Sequence, residues 1–433
     1  MTKNPREAAA AALVKIEKDG EYSNRALLES VRGTEPRDTA LATEIVMGVL
    51  RNKIYLDFII RSYSKIRLKK LSPWVLQILR CGVYQLVMTD KIPPSAACNE
   101  AVKLAAKHAH SAAKGYVNGV LRTVSRNLDS LPEPTGTKAE VMSTAYSCPL
   151  WITEKLIEQF GAEETESILT DSLIPHLTML RVNTLKTTPR ALCESLEESG
   201  IRTEEDVDVP ECLRVFGAID IARLSQYKDG LFTPQNINSM RAALILNPHS
   251  GETVMDLCAA PGGKTTHIAE LMENRGRVIA FDIHKHKIAL IENAASRLGI
   301  DIIEAKCADS EKLSEEYIGC ADRVLADVPC SGIGVIHKKP DIKYNRRPED
   351  TEQLCKIQEK ILENAARYLK DGGVLVYSTC TIFKDENEYQ IERFLERHNE
   401  FEKEFEKLYL AHETGGSGFY ICRMVKNSAC VQT

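Results

Sequence analysis

Two periods of apolar spacing divide this chain of 433 residues. From Pro5 to about Leu128 apolar residues return every three or four positions. Ala8, Ala12, Leu13 and Ile16 follow this spacing, as do Leu41, Ile45, Val46, Val49 and Leu50, which lead on to Ile54, Phe58 and Ile59. That spacing lines one face of each of a series of helices. Ser72 before Pro73 reads as a cap followed by a first-turn proline, opening a helix through Val75, Leu76, Leu79, Val83, Tyr84 and Val87. Pro93-Pro94-Ser95 introduces another helix, and Lys114 to Val124 forms the last. No stretch alternates, so residues 1–130 are predicted to be an all-α bundle. Residues 131–147, with Pro132, Pro134 and Gly136, read as a linker.

Trp151 to Phe160 and Glu163 to Leu173 are again helical, and at Leu177 the period becomes two. Leu177 to Thr184 alternates as a strand, Pro189 to Ser199 is a helix ended by Gly200, and Leu213 to Phe216 is a short strand. Residues 148–240 therefore form a small α+β module. From 241 to 433 strand and helix patterns take turns. Val254 to Leu257, Arg277 to Asp282, Asp301 to Lys306, Arg323 to Ala326 and Val374 to Thr379 are strands, with helices at Lys285 to Leu298 and about Asp350 to Leu369. Two terminal strands, Phe405 to Leu410 and Phe419 to Val425, complete a mostly parallel, Rossmann-like α/β sheet.

Charge changes the picture of the first part. The net charge is −5, yet residues 1–130 carry 21 Lys and Arg against 12 Asp and Glu, and only three acids lie between Arg51 and Arg126. An excess of +9 over one helical domain points to a polyanion, RNA above all; a solvated basic surface is the plainer alternative. The thirteen cysteines are scattered with no C-x-x-C pair, which argues against a disulfide framework or a structural metal. No apolar run reaches spanning length, so a soluble, cytoplasmic protein and a monomer are expected.

The candidate chemistry lies at strand ends. Cys258-Ala259-Ala260-Pro261-Gly262-Gly263-Lys264 follows the first strand of the α/β domain as a small-residue turn into a helix. Gly262 and Gly263 allow a ligand close to the backbone, and Asp282 at the next strand end is placed for ribose hydroxyls. Asp309 ends the third strand, where a ligand edge could be read. Asp327-Val328-Pro329-Cys330-Ser331 and Ser378-Thr379-Cys380-Thr381 then put a cysteine past each of two further strand ends. Open α/β sheets bind ligands at this rim, so both thiols are expected at one crevice, unranked.

Taken together these three segments resemble the RNA cytosine-5 methyltransferases, and the resemblance covers most of the chain. It implies S-adenosylmethionine as cofactor, held by residues 258–264 with Asp282, Asp309 and Asp327. It also implies Cys380 as the nucleophile toward cytosine C6, Cys330 as its helper in elimination, and Asp327 on the cytosine edge. In that family the Arg-Val-Asn-Thr-Leu-Lys segment begins an RNA-contacting subdomain, so Arg181, Asn183 and Lys186 become expected RNA contacts; an exposed strand face is their plainer reading. Asn236 departs from the family's Gln-Asp-x-x-Ser pattern. The stretches Ile45 to Arg61 and Gly115 to Arg122 resemble the NusB-like antitermination factors, a helical RNA-binding module. The fused arrangement points to enzymes that methylate a cytosine of small-subunit (16S) ribosomal RNA. A non-catalytic RNA-binding factor and a methyltransferase of another substrate are the rival readings.

Overall fold

The computed structural model describes residues 4–217 and 219–427. The chain forms two compact units, Met1–Ile174 with Ile336–Asn345, and Pro175–Val335 with Arg346–Thr433.

The first unit is helical. Pro5–Asp19, Pro36–Arg51, Pro73–Val87 and Pro94–His108 each open on a proline, whose missing N–H costs nothing in a first turn. Ser72 caps the third of these, its Oγ accepting from Val75 N at 3.4 Å. With Ser111–Arg126 they bury Ala12, Leu13, Val46, Val49, Leu79, Val83 and Leu121 in one core. Gly48 brings two of the helices close, because a Cβ there would lie 2.0 Å from the Tyr84 ring.

One feature differs from the sequence reading. The expected linker contains a helix, Lys138–Ala145, started by a capping box in which Glu140 N donates to Thr137 Oγ1 (3.3 Å) and Thr137 N to Glu140 Oε2 (2.7 Å). Its two turns are too short for a clear apolar period, and the prolines before it drew the eye. The helix Leu150–Asp171, bent at Gly161 (φ 76°), lies within the first compact unit.

The second unit contains two sheets. In the smaller, β1 (Thr178–Val182), β2 (Thr203–Glu205), β3 (Cys212–Val215) and β4 (Phe232–Pro234) pair antiparallel in the order β2-β3-β1-β4. The larger is built from β5 (Thr253–Asp256), β6 (Arg277–Asp282), β7 (Ile303–Cys307), β8 (Ala321–Asp327), β9 (Leu369–Thr379), β10 (Phe401–Tyr409) and β11 (Phe419–Lys426). Its order is β10-β11-β9-β8-β5-β6-β7, parallel from β5 through β9 and antiparallel at β11 and β10. The chain runs outward from β5 to β7 and then returns to lay β8 on the other side of β5. The topological switch therefore falls between β5 and β8, and a ligand crevice opens at their carboxyl ends.

Candidate active site

β5 ends at Asp256, and the small residues after it carry the chain across the switch point. Leu257 N donates to Leu325 O (3.0 Å) and Ala259 N to Phe281 O (2.8 Å), which holds the turn between β8 and β6. Gly262 then caps the helix Gly263–Leu271 with φ 103°, where a Cβ would also press on Ile291 Cα at 3.2 Å. Asp256 is buried beneath the turn. It accepts from Thr265 Oγ1 (2.7 Å), and burial pushes its carboxyl up to about 6. The sequence reading passed over this residue, although an acid closing an apolar strand is the same signal that singled out Asp282.

A cavity of about 270 Å³ opens beside the turn. Cys258 and Ala260 line it from β5, Asp282 from β6, Asp309 from β7 and Asp327 from β8, with Ile283 and Ile361 as apolar walls. Asp282 is 8 % exposed and uses Oδ1 to accept from His284 N (2.9 Å). Asp309 Oδ1 accepts from Glu311 N (3.1 Å). Ala259, Pro261, Gly262, Gly263 and Lys264 are not in the cavity lining. Ala259 is buried, and the glycines shape the turn behind it. Lys287, Ser310 and Glu311 also line the cavity, and no strand-end pattern had marked them.

Lys264 points to the other strand end. Its Nζ donates to Asp327 Oδ2 at 2.7 Å, while Ser378 Oγ donates to Oδ1 at 2.8 Å. Burial opposes the Lys264 charge, but Asp327 outweighs it and lifts the ammonium pKa. Because Asp327 pairs with Ser378 across β8 and β9, the cysteines three and two residues further on converge. Cys330 Sγ and Cys380 Sγ lie 3.2 Å apart, both half-buried. The hydrogen bond with Cys380, together with burial, holds the Cys330 thiol protonated far above its usual range.

The loops bearing the thiols are tied from below. Ser331 Oγ and Thr381 Oγ1 are 2.7 Å apart, Gly334 N donates to Cys380 O (3.0 Å), and Arg346 donates to the carbonyls of Cys330 (3.2 Å) and Ser331 (3.0 Å). Glu386, fully buried and raised in pKa by that burial, accepts from Ser331 N (2.8 Å) and Gln358 Nε2 (3.0 Å). Arg346 and Glu386 lie 15 and 55 residues from Ser331, beyond the reach of a local motif.

Of the three expected RNA contacts, Arg181 and Asn183 are buried and only Lys186 is exposed. Arg181 is 0 % exposed and forms a two-pronged ion pair with Glu270 (2.9 and 2.8 Å). It also donates to Thr266 Oγ1 (2.9 Å), Gly263 O (2.5 Å) and Gln235 Oε1. Asn183 is equally buried, donating to Gly230 O and Leu298 O, both at 2.9 Å. Lys186 is exposed but donates to Asp229 O (2.9 Å) and Arg297 O (3.1 Å). Both faces of β1 are covered, one by Leu192 and Leu196 and the other by Ile237 and Met240, so alternation there marks no exposed face. These three residues brace the smaller sheet against the glycine-turn helix and its neighbour. Asn236 gains a role: Oδ1 caps the helix Ile237–Leu246 through Asn238 N (3.1 Å) and also accepts from Ser417 N (3.2 Å).

A doubly wound sheet with a cofactor-sized cavity at its switch point defines a Rossmann-type domain of the nucleotide-binding class, here with two thiols at its rim. Residues 243–424 match the model of the 16S rRNA methyltransferase RsmB/F family, 3–126 the NusB family, and 148–222 the ferredoxin-like domain of RsmF/B-like methyltransferases. A Bacillus subtilis (strain 168) protein named "Probable ribosomal RNA small subunit methyltransferase B" is 38% identical over 97% of this chain and 98% of its own length. "Ribosomal RNA small subunit methyltransferase B" of Proteus mirabilis is 33% identical over 96% and 97%. A crystal structure of PH0851 superposes with a TM-score of 0.83 at 29% identity, covering 98% of this chain and all of that one. The chain belongs to the RsmB/F family of 16S ribosomal RNA methyltransferases. No helix among the described residues is long and apolar enough to cross a membrane.

Proposed function

We propose that this protein methylates carbon 5 of a cytosine in small-subunit ribosomal RNA, using S-adenosylmethionine and a transient bond from Cys380 Sγ to cytosine C6. The cavity suits that cofactor: its free Asp282 oxygen can accept from ribose hydroxyls, Asp309 sits at a further strand end, and Ile283 and Ile361 offer apolar surface to a purine. When bound, S-adenosylmethionine supplies an electrophilic methyl group. Cytosine C5 is too weak a nucleophile to take it unaided, so the chain's own residues must activate the ring.

The observation that carries this reading is the 3.2 Å thiol pair beside the Lys264–Asp327 ion pair. Burial and the partner sulfur keep the proton on Cys330, so Cys380 is assigned as the attacking thiolate, with the Lys264 cation to favour it. Its attack at C6 breaks the C5=C6 double bond and makes C5 electron-rich. Asp327, with a lone pair left on each oxygen, accepts from the cytosine's amino edge, and Lys264 offsets charge pushed onto the ring. Release requires loss of the C5 proton and of the C6–S bond. Cys330 gives its proton to the departing Cys380 sulfur and takes up the C5 proton, whose bonding electrons restore C5=C6. One proton then passes to water, leaving the pair as it began.

The target base must leave any stack to reach these thiols, so a looped or flipped cytosine is the substrate. The test is a denaturing gel of small-subunit RNA incubated with S-adenosylmethionine. Cys330→Ala should transfer the methyl yet accumulate a protein–RNA adduct, and Cys380→Ala should yield neither product nor adduct. An adduct in the Cys380 variant alone would reverse the roles; none in either would remove the covalent route.

A further inference from the structure

The helical unit holds a built cationic surface. Between the helices Lys53–Tyr63 and Pro73–Val87 the chain reads Ser64-Lys65-Ile66-Arg67-Leu68-Lys69-Lys70-Leu71. Lys65, Arg67, Lys69 and Lys70 are exposed, and among the described residues none has an ion-pair or hydrogen-bond partner for its side chain. Most cations elsewhere in this unit are engaged: Arg80 by Asp57 and Glu17, Lys15 by Glu29, Lys107 by Glu7.

The loop is also held in place. Ser64 Oγ lies 2.5 Å from Tyr116 OH and also donates to Ile66 O (2.7 Å), Leu68 and Leu71 pack on the helical core, and Leu68–Lys70 forms a 3-10 turn. These contacts fix the backbone and leave the cations outward, so binding an anion orders side chains only. The loop borders a groove of about 830 Å³ whose lining carries six Lys or Arg against two acids, Glu17 and Asp57, both already bound to Arg80. Four outward cations on one fixed loop beside a groove of this size offer several contacts to a phosphate backbone.

We infer that Lys65, Arg67, Lys69 and Lys70 form a phosphate-contacting RNA site of the helical unit, one that holds the substrate strand by its backbone. The inference rests on the reading that the chain acts on RNA. It separates this loop from cations scattered over the unit that are likewise without a side-chain partner among the described residues, among them Arg32, Arg37, Lys91 and Lys114.

The experiment compares full-length protein with two fourfold alanine variants, one of the loop and one of the scattered set, by filter binding to a small-subunit RNA transcript from 50 to 400 mM salt. Each lost phosphate contact lowers the log–log salt slope by about 0.7–0.9, so the loop variant should lose about 3 units of slope and at least about tenfold in affinity at 0.1 M salt. The KM for RNA should rise in step while kcat at saturating RNA stays within about twofold; the scattered variant should shift affinity less than about threefold. Equal losses in both variants would mean a diffuse field and overturn the site, as would a loop variant that binds and methylates like the parent. If the parent binds RNA with the loop-dependent slope but methylates nothing, the site stands and the proposed activity falls.

Discussion

Replacing Arg181 with methionine separates a structural brace from an RNA contact. The guanidinium is 0 % exposed and gives two hydrogen bonds to Glu270, whose side chain is 2 % exposed, with further bonds to Thr266, Gly263 and Gln235. Methionine fills much of the volume but leaves the Glu270 carboxylate buried without its counter-charge. Breaking a buried pair from one side costs about 3–5 kcal/mol. In a unit of this size each kcal/mol moves Tm by about 2–4 °C, so the variant should melt about 6–20 °C lower. Removing both charges, Arg181→Met with Glu270→Leu, should recover more than half of that loss, since an apolar pair in the same space has no desolvation to repay. Scanning calorimetry of the parent, both single variants and the double variant closes the cycle. RNA affinity measured well below the melting range should stay within about twofold for the double variant. A single variant that melts like the parent but binds RNA tenfold more weakly would refute the brace.

Asp282→Ala should weaken S-adenosylmethionine by at least about ten- to a hundredfold in titration calorimetry, the worth of one hydrogen bond to a charged group at about 1.5–3 kcal/mol, with RNA affinity unchanged. Asp256 makes a pH prediction. Its folded pKa of about 6 lies above the unfolded value near 3.8, so the folded state binds the extra proton and stability falls as pH rises between those values. The fall amounts to about 3 kcal/mol and levels off above pH 6. Asp256→Asn, which keeps an acceptor for Thr265, should therefore gain about that much relative to the parent between pH 4 and pH 7 in urea titrations; a constant difference across that range would show that Asp256 titrates normally.

Much of this molecule was legible because its signals are local. The periods of three to four and of two placed the helices and the parallel strands, and strand-end acids and cysteines could be lined up on one rim by the rule that open sheets bind at carboxyl ends. Asp282 and Asp309 were singled out by that rule and Asp327 by its motif, and all three line the cavity. Burial of strand β1 was not legible. Alternation tells which residues share a face, yet it is silent on whether the second face is covered, and Arg181 lies on a face that the helices starting at Ile237 and Gly263 cover. The family pattern suggested RNA for that residue, and the ion pair with a carboxylate 89 residues away decided otherwise.

The same limit explains the loop behind Cys330. Its sequence, from Ile336 to Asn345, continues the catalytic domain, but the ten residues are built into the helical unit by bonds spanning hundreds of positions. Ser23 Oγ donates to Asp341 Oδ1 at 2.8 Å, Arg51 to His337 O at 3.2 Å, and Tyr344 OH to Ser147 O at 3.0 Å. No period or motif can encode such a partner, because each end of the bond looks ordinary in its own surroundings. The chain re-enters the second unit at Arg346, which at once closes on the carbonyls of Cys330 and Ser331. The excursion therefore begins just after one of the two rim thiols and ends on a side chain that fixes the same thiol's backbone. The backbone of Cys330 is held by its own strand and by Arg346, 16 residues further on in the same unit, which is why its motif alone could name the residue but not its surroundings.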